Sequence, residues 1–450
     1  MNMKRHPITR RTFLGAAATA LAAAVRPPQA RAAPTIIAAT ALGGGGRPAP
    51  SNRITMCFIG IGNQGSGHLG SFIGNREVQI LAVCDVKRNV REQSKRRVDD
   101  AYSRSAPNGT YNGCDAYNDF REMLARPDID AVLISTPEHW HAIQTIEAAR
   151  NGKDIYCEKP LSHTIREARA MVDAVRRYNR VFQTGSQQRS ESGFRIACEL
   201  VRNGRIGKLH TIYVNVGGTS SEAYLPEQPV PDGLDWDMWL GPAPWAPYHP
   251  TRASGDFSGG WRLIRDYSGG MMCDWGAHHF DVAQWALGMD QSGPVEIYPP
   301  GNQYPVLTYR YANGVIMHHY YGPGAARLSP PTGRDVNGVL FAGDSGWVEV
   351  NRGYLRTSPE SLAREPLSAQ DIHLYRSSDH NNDWLRAIRN RTRPICDVEV
   401  GARTITVCHL GNLAYWLNRP LKWDPVAERF VGDEEANRWL DRPKRDPWRL

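Results

Sequence analysis

Residues 54–65 read ITMCFIGIGNQG, and this stretch decides the fold. Its apolar half, Ile54–Ile59, is typical of a buried β-strand, and a glycine-rich turn follows without a break. A helix-compatible segment and a second apolar run, Val78–Cys84, come next, and Asp85 closes that run. Strand, glycine turn, helix, strand and terminal acid, in this order, form the dinucleotide-binding fingerprint. The alternative is a glycine turn in some other α/β unit.

Each residue of the turn has an expected task in holding a dinucleotide. Gly60 permits the tight turn, Gly62 lets the backbone approach a pyrophosphate, and Gly65 lets the helix pack close to the strand. Asn63 and Gln64 open the helix, whose free amides and positive dipole end favour phosphate. We therefore expect these five residues to form the phosphate end of a nucleotide site.

Asp85 is placed to accept hydrogen bonds from the adenosine ribose hydroxyls. It favours NAD, because a 2′-phosphate would meet a like charge there. Lys87 and Arg88 follow directly and could pair with that phosphate, so NADP remains an alternative.

Residues 1–32 have the features of a twin-arginine export signal. Arg10 and Arg11 precede Phe13–Val25, a run of small apolar residues, and a small-x-small cleavage site follows. The run is too short to span a bilayer, which needs about 20 residues. We expect export through the twin-arginine machinery to the periplasm or beyond; a cytoplasmic chain with a basic tail is the alternative. Residues 33–52, rich in Gly and Pro, predict a flexible linker.

The basic excess of the chain belongs largely to this first segment. The 450 residues include 54 Lys and Arg and 46 Asp and Glu, and six of the basic residues precede position 33 with no acid among them. The remainder has a net charge of +2, which gives no basis for a nucleic-acid partner. The eight cysteines include no C-x-x-C pair, so we expect buried thiols rather than a structural zinc.

Strands alternate with helices after the first glycine turn, which predicts a parallel, doubly wound sheet. Residues 130–135 and 154–157 are apolar strand candidates with a helical segment between them. Ligands of such sheets bind at the carboxyl ends of the strands. Thr136 and Pro137, which end the first of these strands, are therefore expected to face the cofactor, as is the motif after the second.

That motif is Glu158-Lys159-Pro160, and with the earlier motifs it carries a family resemblance. The glycine turn, Thr136-Pro137 with His141, and Glu158-Lys159-Pro160 together resemble the Gfo/Idh/MocA oxidoreductases, named for glucose–fructose oxidoreductase and inositol dehydrogenase. Further motifs fit the same family: Gln187-Gln188-Arg189, residues 274–281, residues 380–384 and residues 393–401.

The resemblance implies an α/β protein of two parts. Residues 53–185 would form a Rossmann domain that binds NAD or NADP, and residues 186–450 an α+β domain with a large, mostly antiparallel sheet for substrate and oligomer contacts. The short alternating strands predicted in the second half are compatible with this. The resemblance also places His141, Glu158 and Gln187 at the cofactor, and we expect a homo-oligomer.

Lys159 follows a strand end at the cofactor edge, where its ammonium group can hydrogen-bond an alkoxide during hydride transfer. Asp274 and His278 are spaced i,i+4 near the start of a helix predicted over 276–287, which puts them on one side of it. In the inositol dehydrogenase branch the matching Asp and His join the lysine in catalysis. This implies His278 as the base and Asp274 as its orienting partner or a ligand of a second hydroxyl.

Two other interpretations of this segment remain open. Asp274 could cap the helix while His278 is a core histidine. We do not expect a metal, because His278 and His279 point about 100° apart on a helix and cannot easily share an ion with Asp274. His279 departs from the inositol dehydrogenase branch. His318 and its neighbour alternate faces on a predicted strand, one toward the cleft and one toward another subunit.

The segment 219–260 is longer than a simple connection between two elements needs to be, and long loops over a cleft are usually functional. Their tryptophans and one just beyond either stack on sugar rings or hold the loop by packing. These residues are Trp236, Trp239, Trp245 and Trp261.

The sequence thus predicts an exported NAD(P)-dependent oxidoreductase that acts on a hydroxyl of a sugar or other polyol. A redox-neutral glycosidase or lyase is the first alternative, because an exported protein cannot easily exchange NADH and would benefit from a tightly bound, self-regenerating cofactor. A non-catalytic sugar-binding protein is the second, and the intact Lys159, Asp274 and His278 oppose it.

Overall fold

The computed structural model describes residues 52–104, 111–255, 257 and 259–450. The predicted export signal lies outside the described residues, as does all but the last residue of the predicted linker, so both stay predictions. Within the described ranges, no helix combines the length and the apolar character that crossing a bilayer requires.

The first sheet is parallel, and its six strands lie in the order β3-β2-β1-β4-β5-β6. The strands are β1 (Ile54–Ile59), β2 (Val78–Cys84), β3 (Asp115–Tyr117), β4 (Ala131–Ile134), β5 (Asp154–Cys157) and β6 (Phe182–Thr184). The accompanying helices are α1 (Asn63–Ile73), α2 (Arg88–Ser103), α3 (Phe120–Leu124), α4 (His141–Arg150) and α5 (Ile165–Arg177). Because β1 pairs with both β2 and β4, the strand order reverses at β1, and its carboxyl end is the switch point where such sheets bind ligands. The predicted doubly wound sheet is confirmed.

The second sheet has nine strands in the order β13-β12-β11-β7-β10-β9-β8-β14-β15. They are β7 (Leu209–Val214), β8 (Glu296–Tyr298), β9 (Thr308–Arg310), β10 (Ile316–His319), β11 (Val339–Gly343), β12 (Gly346–Asn351), β13 (Tyr354–Ser358), β14 (Leu421–Asp424) and β15 (Arg429–Phe430). Neighbouring strands are antiparallel except β7 and β10, so the predicted mostly antiparallel sheet is also confirmed.

Eight helices accompany the second half of the chain as far as the structure describes it. They are α6 (Ser192–Arg202), α7 (Trp236–Leu240), α8 (Pro250–Ala253), α9 (Met271–Asp274), α10 (Gly276–Leu287), α11 (His380–Asn390), α12 (Val398–Leu417) and α13 (Glu434–Arg438). The helix predicted over 276–287 has the predicted bounds as α10.

Helix α11 comes late in the chain but packs on the first sheet. Its Trp384 is fully buried in the same apolar cluster as Met56 and Phe58 of β1. The Trp384 ring meets Phe72 of α1 and Tyr156 of β5 edge to face, with centroids 6.2 and 5.6 Å apart. The core of the first sheet is therefore completed by residues that follow most of the second sheet.

The long loop after β7, residues 219–263, forms a strap with its own apolar cluster. Trp236 and Trp239 stack inside this cluster with centroids 4.8 Å apart, so for these two residues the packing interpretation holds. Trp245 is 67% exposed. Trp261 is half-buried and lines the cavity described next.

Candidate active site

Two cavities meet at Gln64, the second residue of α1. The first, of about 420 Å³, lies at the carboxyl ends of β1 and β4 under the strap, and the second, of about 690 Å³, lies at the end of β5. Seven residues predicted to bind a cofactor line the first cavity: Gly60, Gly62, Asn63, Gln64, Asp85, Thr136 and Pro137.

The three glycines of the turn do different things. Gly60 has φ +78°, and a side chain there would start 2.8 Å from Thr136. At Gly65 a Cβ would lie 2.1 Å from the carbonyl oxygen of Gly60, so this glycine lets α1 pack on the turn. A Cβ on Gly62 would touch nothing within 4 Å among the residues that the structure describes. The open face of Gly62, at the N-terminus of α1, fits a group that must approach the backbone closely, as a pyrophosphate does.

Asp85 combines a structural task with a free face toward the first cavity. Its Oδ2 accepts the amide of Ile61 and its Oδ1 the amide of Lys87, both at 2.8 Å. Burial raises the pKa of Asp85, and these two amides oppose the rise. A carboxylate accepts about four hydrogen bonds, so lone pairs remain for ribose hydroxyls.

The strap is tied directly to the nucleotide turn. Asn63 Nδ2 donates to the carbonyl oxygen of Gly255 at 2.5 Å, and Lys87 Nζ to that of Ala253 at 3.2 Å. The amide of Arg88 donates to the carbonyl oxygen of the strap's Gly233 at 2.7 Å. A nucleotide in the first cavity would therefore lie between the first sheet and the strap.

Lys159 and Asp274 form an ion pair at one wall of the second cavity. Lys159 Nζ lies 2.8 Å from Asp274 Oδ1 and 3.2 Å from the Asp274 carbonyl oxygen, and both side chains are largely buried. Arg262 Nε, from the strap, lies 3.6 Å from the same Oδ1. Asp274 thus binds lysine, whereas the spacing had suggested that it orients His278. The reason is local: α9 ends at Asp274 and α10 begins at Gly276, so the two residues do not share one continuous helix.

His278 lies in the same cavity and is 5% exposed. Burial lowers its pKa well below the ordinary value, and the Lys159 and Arg352 cations lower it further. Its Nε2 lies 3.2 Å from Arg352 Nη2, and within the described ranges its buried Nδ1 has no hydrogen-bond partner. An unprotonated imidazole beside a lysine ammonium can accept a proton from a hydroxyl that the lysine polarises.

Glu158 links the nucleotide helix to this cavity. Its Oε1 pairs with His68 Nε2 at 2.6 Å and accepts Gln187 Nε2 at 3.1 Å, while its Oε2 accepts the Lys159 amide at 3.1 Å. Burial is the largest single influence on the pKa of Glu158 and raises it, but His68 and Lys159 together lower it by more, so the pKa lies below its ordinary value. Glu158 therefore holds the backbone of Lys159 relative to α1.

His141 lies behind the cavities rather than in their walls. Its two ring nitrogens lie 2.8 Å from the carbonyl oxygens of Thr136 and Pro160, which joins the turns after β4 and β5. A direct contact between His141 and a cofactor stays a prediction. His318 and His319 are both buried, and the two nitrogens of His319 face the Tyr415 hydroxyl and a backbone carbonyl, so His319 packs inside the fold.

Glu138 and His68, which the sequence did not single out, help to place the catalytic candidates, as does Arg189 of the Gln187-Gln188-Arg189 motif. Glu138 accepts the Gly269 amide at 2.6 Å, just before α9. Arg189, buried, binds Asp281 of α10 through two 2.8 Å hydrogen bonds. His68 follows Gln64 by four residues on α1, a spacing that could have identified it. Among the residues described, no group of three His, Cys, Asp or Glu side chains is arranged to hold a metal ion.

Two family descriptions match the chain. “Oxidoreductase family, NAD-binding Rossmann fold” of the Gfo/Idh/MocA family matches residues 54–186, and “Oxidoreductase family, C-terminal alpha/beta domain” matches residues 218–450.

Curated relatives match only part of the chain. A “Glycosyl hydrolase family 109 protein” of Shewanella baltica (strain OS155 / ATCC BAA-1091) is 33% identical over 186 residues, 38% of this chain and 38% of that protein. A protein of the same name from Shewanella putrefaciens is 34% identical over 125 residues, 28% of this chain and 26% of that protein. The matched segments are well under half the length of these relatives.

Solved structures share the fold over most of the chain. An aldose-aldose oxidoreductase from Caulobacter crescentus, complexed with glycerol, has a TM-score of 0.55 at 18% identity and covers 82% of this chain and 99% of its own. The WlbA dehydrogenase from Bordetella pertussis, in complex with NADH and UDP-GlcNAcA, has a TM-score of 0.56 at 15% identity and covers 83% and 99%. At these identities the likeness concerns the fold.

Proposed function

The chain belongs to the Gfo/Idh/MocA oxidoreductase family, and from this premise we propose that it transfers a hydride between a nicotinamide cofactor and a hydroxyl-bearing carbon of a carbohydrate. The observation that carries the proposal is the meeting of the two cavities at Gln64. One has the open glycine and the acid that suit a dinucleotide, and the other is lined by Lys159, Asp274 and His278.

The residues of the second cavity have different roles in the proposed reaction. The cofactor supplies hydride acceptance and donation. Lys159 donates a hydrogen bond to the substrate oxygen and stabilises the charge that develops there, while Asp274 holds the ammonium group in place. His278, unprotonated at neutral pH, takes the hydroxyl proton.

We propose NAD rather than NADP as the cofactor. Asp85 lines the first cavity, where its carboxylate would repel a 2′-phosphate, and Lys87 is tied to the strap through the Ala253 carbonyl oxygen. Arg88, which is exposed, is the remaining cation that directly follows. Titration of the purified protein with NADH and NADPH tests this, and a tighter NADPH complex would contradict it.

Redox-neutral cleavage of a glycoside is a second candidate, favoured by the strap and by the name of the curated relatives. A cofactor held under a strap suits a cycle in which the hydride is taken and then returned to the same sugar. Candidate glycosides and free sugars should be screened with nicotinamide absorbance and aglycone release recorded together. Aglycone release without net NADH supports cleavage, and stoichiometric NADH supports a dehydrogenase.

We propose in addition that the chain is exported by the twin-arginine pathway, on the strength of Arg10, Arg11 and the apolar run after them. Both arginines should be replaced with lysine and the cells fractionated. Export that continues unchanged would refute this.

A further inference from the structure

Arg352 lies at the tip of the hairpin between β12 and β13 and reaches from the second sheet into the second cavity. Its guanidinium carbon lies 4.9 Å from the centre of the Trp275 ring, a cation–π contact. Its Nη2 lies 3.2 Å from His278 Nε2. This arginine is thus the cationic group that touches the proposed base.

Lys159, a second cation at this wall, is neutralised by Asp274, and the His68 ring is paired with Glu158. Among the described residues, no carboxylate oxygen lies within ion-pair distance, 4.0 Å, of the Arg352 guanidinium. Glu191 shares the cavity: burial raises its pKa, and Arg352 opposes the rise only from a longer distance.

The contact with His278 has a consequence for catalysis. A guanidinium can only donate hydrogen bonds, so the Nε2 lone pair of His278 must accept the bond. The same lone pair would have to accept the substrate proton, because Nδ1 is buried. A productive substrate must therefore displace Arg352 from His278. An anionic group on the substrate would do so, since a bond to a charged acceptor is stronger than one to a neutral imidazole.

We propose that the substrate of this site is a sugar with an oxyanion substituent, a carboxylate or a sulfate, and that Arg352 is the specificity-determining residue that binds it. The guanidinium stays stacked on Trp275, turns from His278 to the anion and frees Nε2. This inference rests on the proposed function. Hydrogen bonds to charged groups contribute about 1.5–3 kcal/mol, which corresponds to roughly 10- to 150-fold in affinity.

The test is a binding experiment with matched sugar pairs on the purified protein with NADH added, since the reduced cofactor cannot accept a hydride from a sugar hydroxyl. The pairs are methyl glucoside and methyl glucuronide, methyl galactoside and methyl galacturonide, and N-acetylglucosamine and its 6-sulfate. Isothermal titration gives the dissociation constants for the wild type and for Arg352→Gln. Arg356→Gln is the matched control, because Arg356 lies in the same hairpin but stacks on Tyr354, outside the cavity.

At least one charged sugar should bind about tenfold or more tighter than its neutral partner. Arg352→Gln should abolish that preference, and Arg356→Gln should keep it. Comparison of the uronate pairs with the sulfate pair shows whether the site binds a carboxylate or a sulfate. The proposal is overturned if no charged sugar is preferred or if the preference survives Arg352→Gln. Since binding is measured without turnover, a protein that binds uronates through Arg352 but transfers no hydride would refute the proposed function alone.

Discussion

Two glycines three residues apart in the nucleotide turn should respond in opposite ways to the same substitution. Gly62 has φ −69°, which alanine adopts readily, and a Cβ there meets no atom of the described part of the chain within 4 Å. A Cβ at Gly65 would overlap the Gly60 carbonyl oxygen at 2.1 Å and the Ser135 hydroxyl at 2.6 Å. We expect Gly62→Ala to fold normally and lose nucleotide, and Gly65→Ala to lose stability.

The magnitudes follow from these contacts. Alanine at Gly62, the residue before α1, should change the free energy of unfolding by about 1 kcal/mol or less. If the new methyl group displaces a pyrophosphate from one backbone amide, the loss is that of a hydrogen bond to a charged group, about 1.5–3 kcal/mol. This corresponds to a dissociation constant about 10- to 150-fold weaker. Overpacking at Gly65 should cost about 1–3 kcal/mol of stability or more.

The assay compares urea unfolding without nucleotide and NADH fluorescence titration for both variants and the wild type. An unchanged NADH affinity in Gly62→Ala would refute the position of the pyrophosphate at the start of α1. A Gly65→Ala protein as stable as the wild type would show instead that α1 can shift from the turn at little cost, and the packing argument would fail.

Four further predictions concern ionisable groups. Lys159→Ala and His278→Ala should each lower turnover by about 10²–10⁴-fold in steady-state assays, and a fully active His278→Ala enzyme would return this histidine to a structural role. The acid limb of the pH–rate profile should lie well below pH 6.5, because burial, Lys159 and Arg352 lower the pKa of His278. The imidazole is unprotonated, and so able to act as a base, at every pH above that pKa. A limb at or above pH 6.5 would contradict this. Burial raises the pKa of Glu138 from 4.5 to about 8. Between these two pH values the folded protein keeps the Glu138 proton, whereas the unfolded chain has released it. The free energy of unfolding should therefore fall as pH rises through this interval, and Glu138→Gln should flatten the curve. Arg189→Met should cost about 3–5 kcal/mol in urea titrations, because it leaves a buried aspartate without its partner.

The nucleotide half of the site could be predicted because its parts are consecutive in the chain. Ile54–Ile59 is a strand with the predicted bounds, and the turn after it lies at the switch point of the sheet. Asp85 directly follows the next strand and lines the first cavity. Backbone conformation, helix start and strand end are local properties, so residue type and spacing are enough to locate them.

The substrate half depends on contacts that no spacing reveals. Arg352 lies 74 residues after His278, and Lys159 lies 115 residues before Asp274. The i,i+4 spacing of Asp274 and His278 suggested a shared helix face, but the break at Trp275 directs the carboxylate to the lysine instead. The packing of the two sheets and the strap determines which side chains, distant in sequence, come into contact.

The late position of α11 has a consequence for how the protein is made. A ribosome that has synthesised residues 54–184 has produced every strand of the first sheet, yet Trp384 is still about 200 residues away. Until it arrives, the cluster around Phe72 and Tyr156 lacks its last aromatic side chain. We expect the first sheet to complete its core only after synthesis passes α11. A gene truncated after β6 should accordingly give a chain that exposes an apolar face and aggregates.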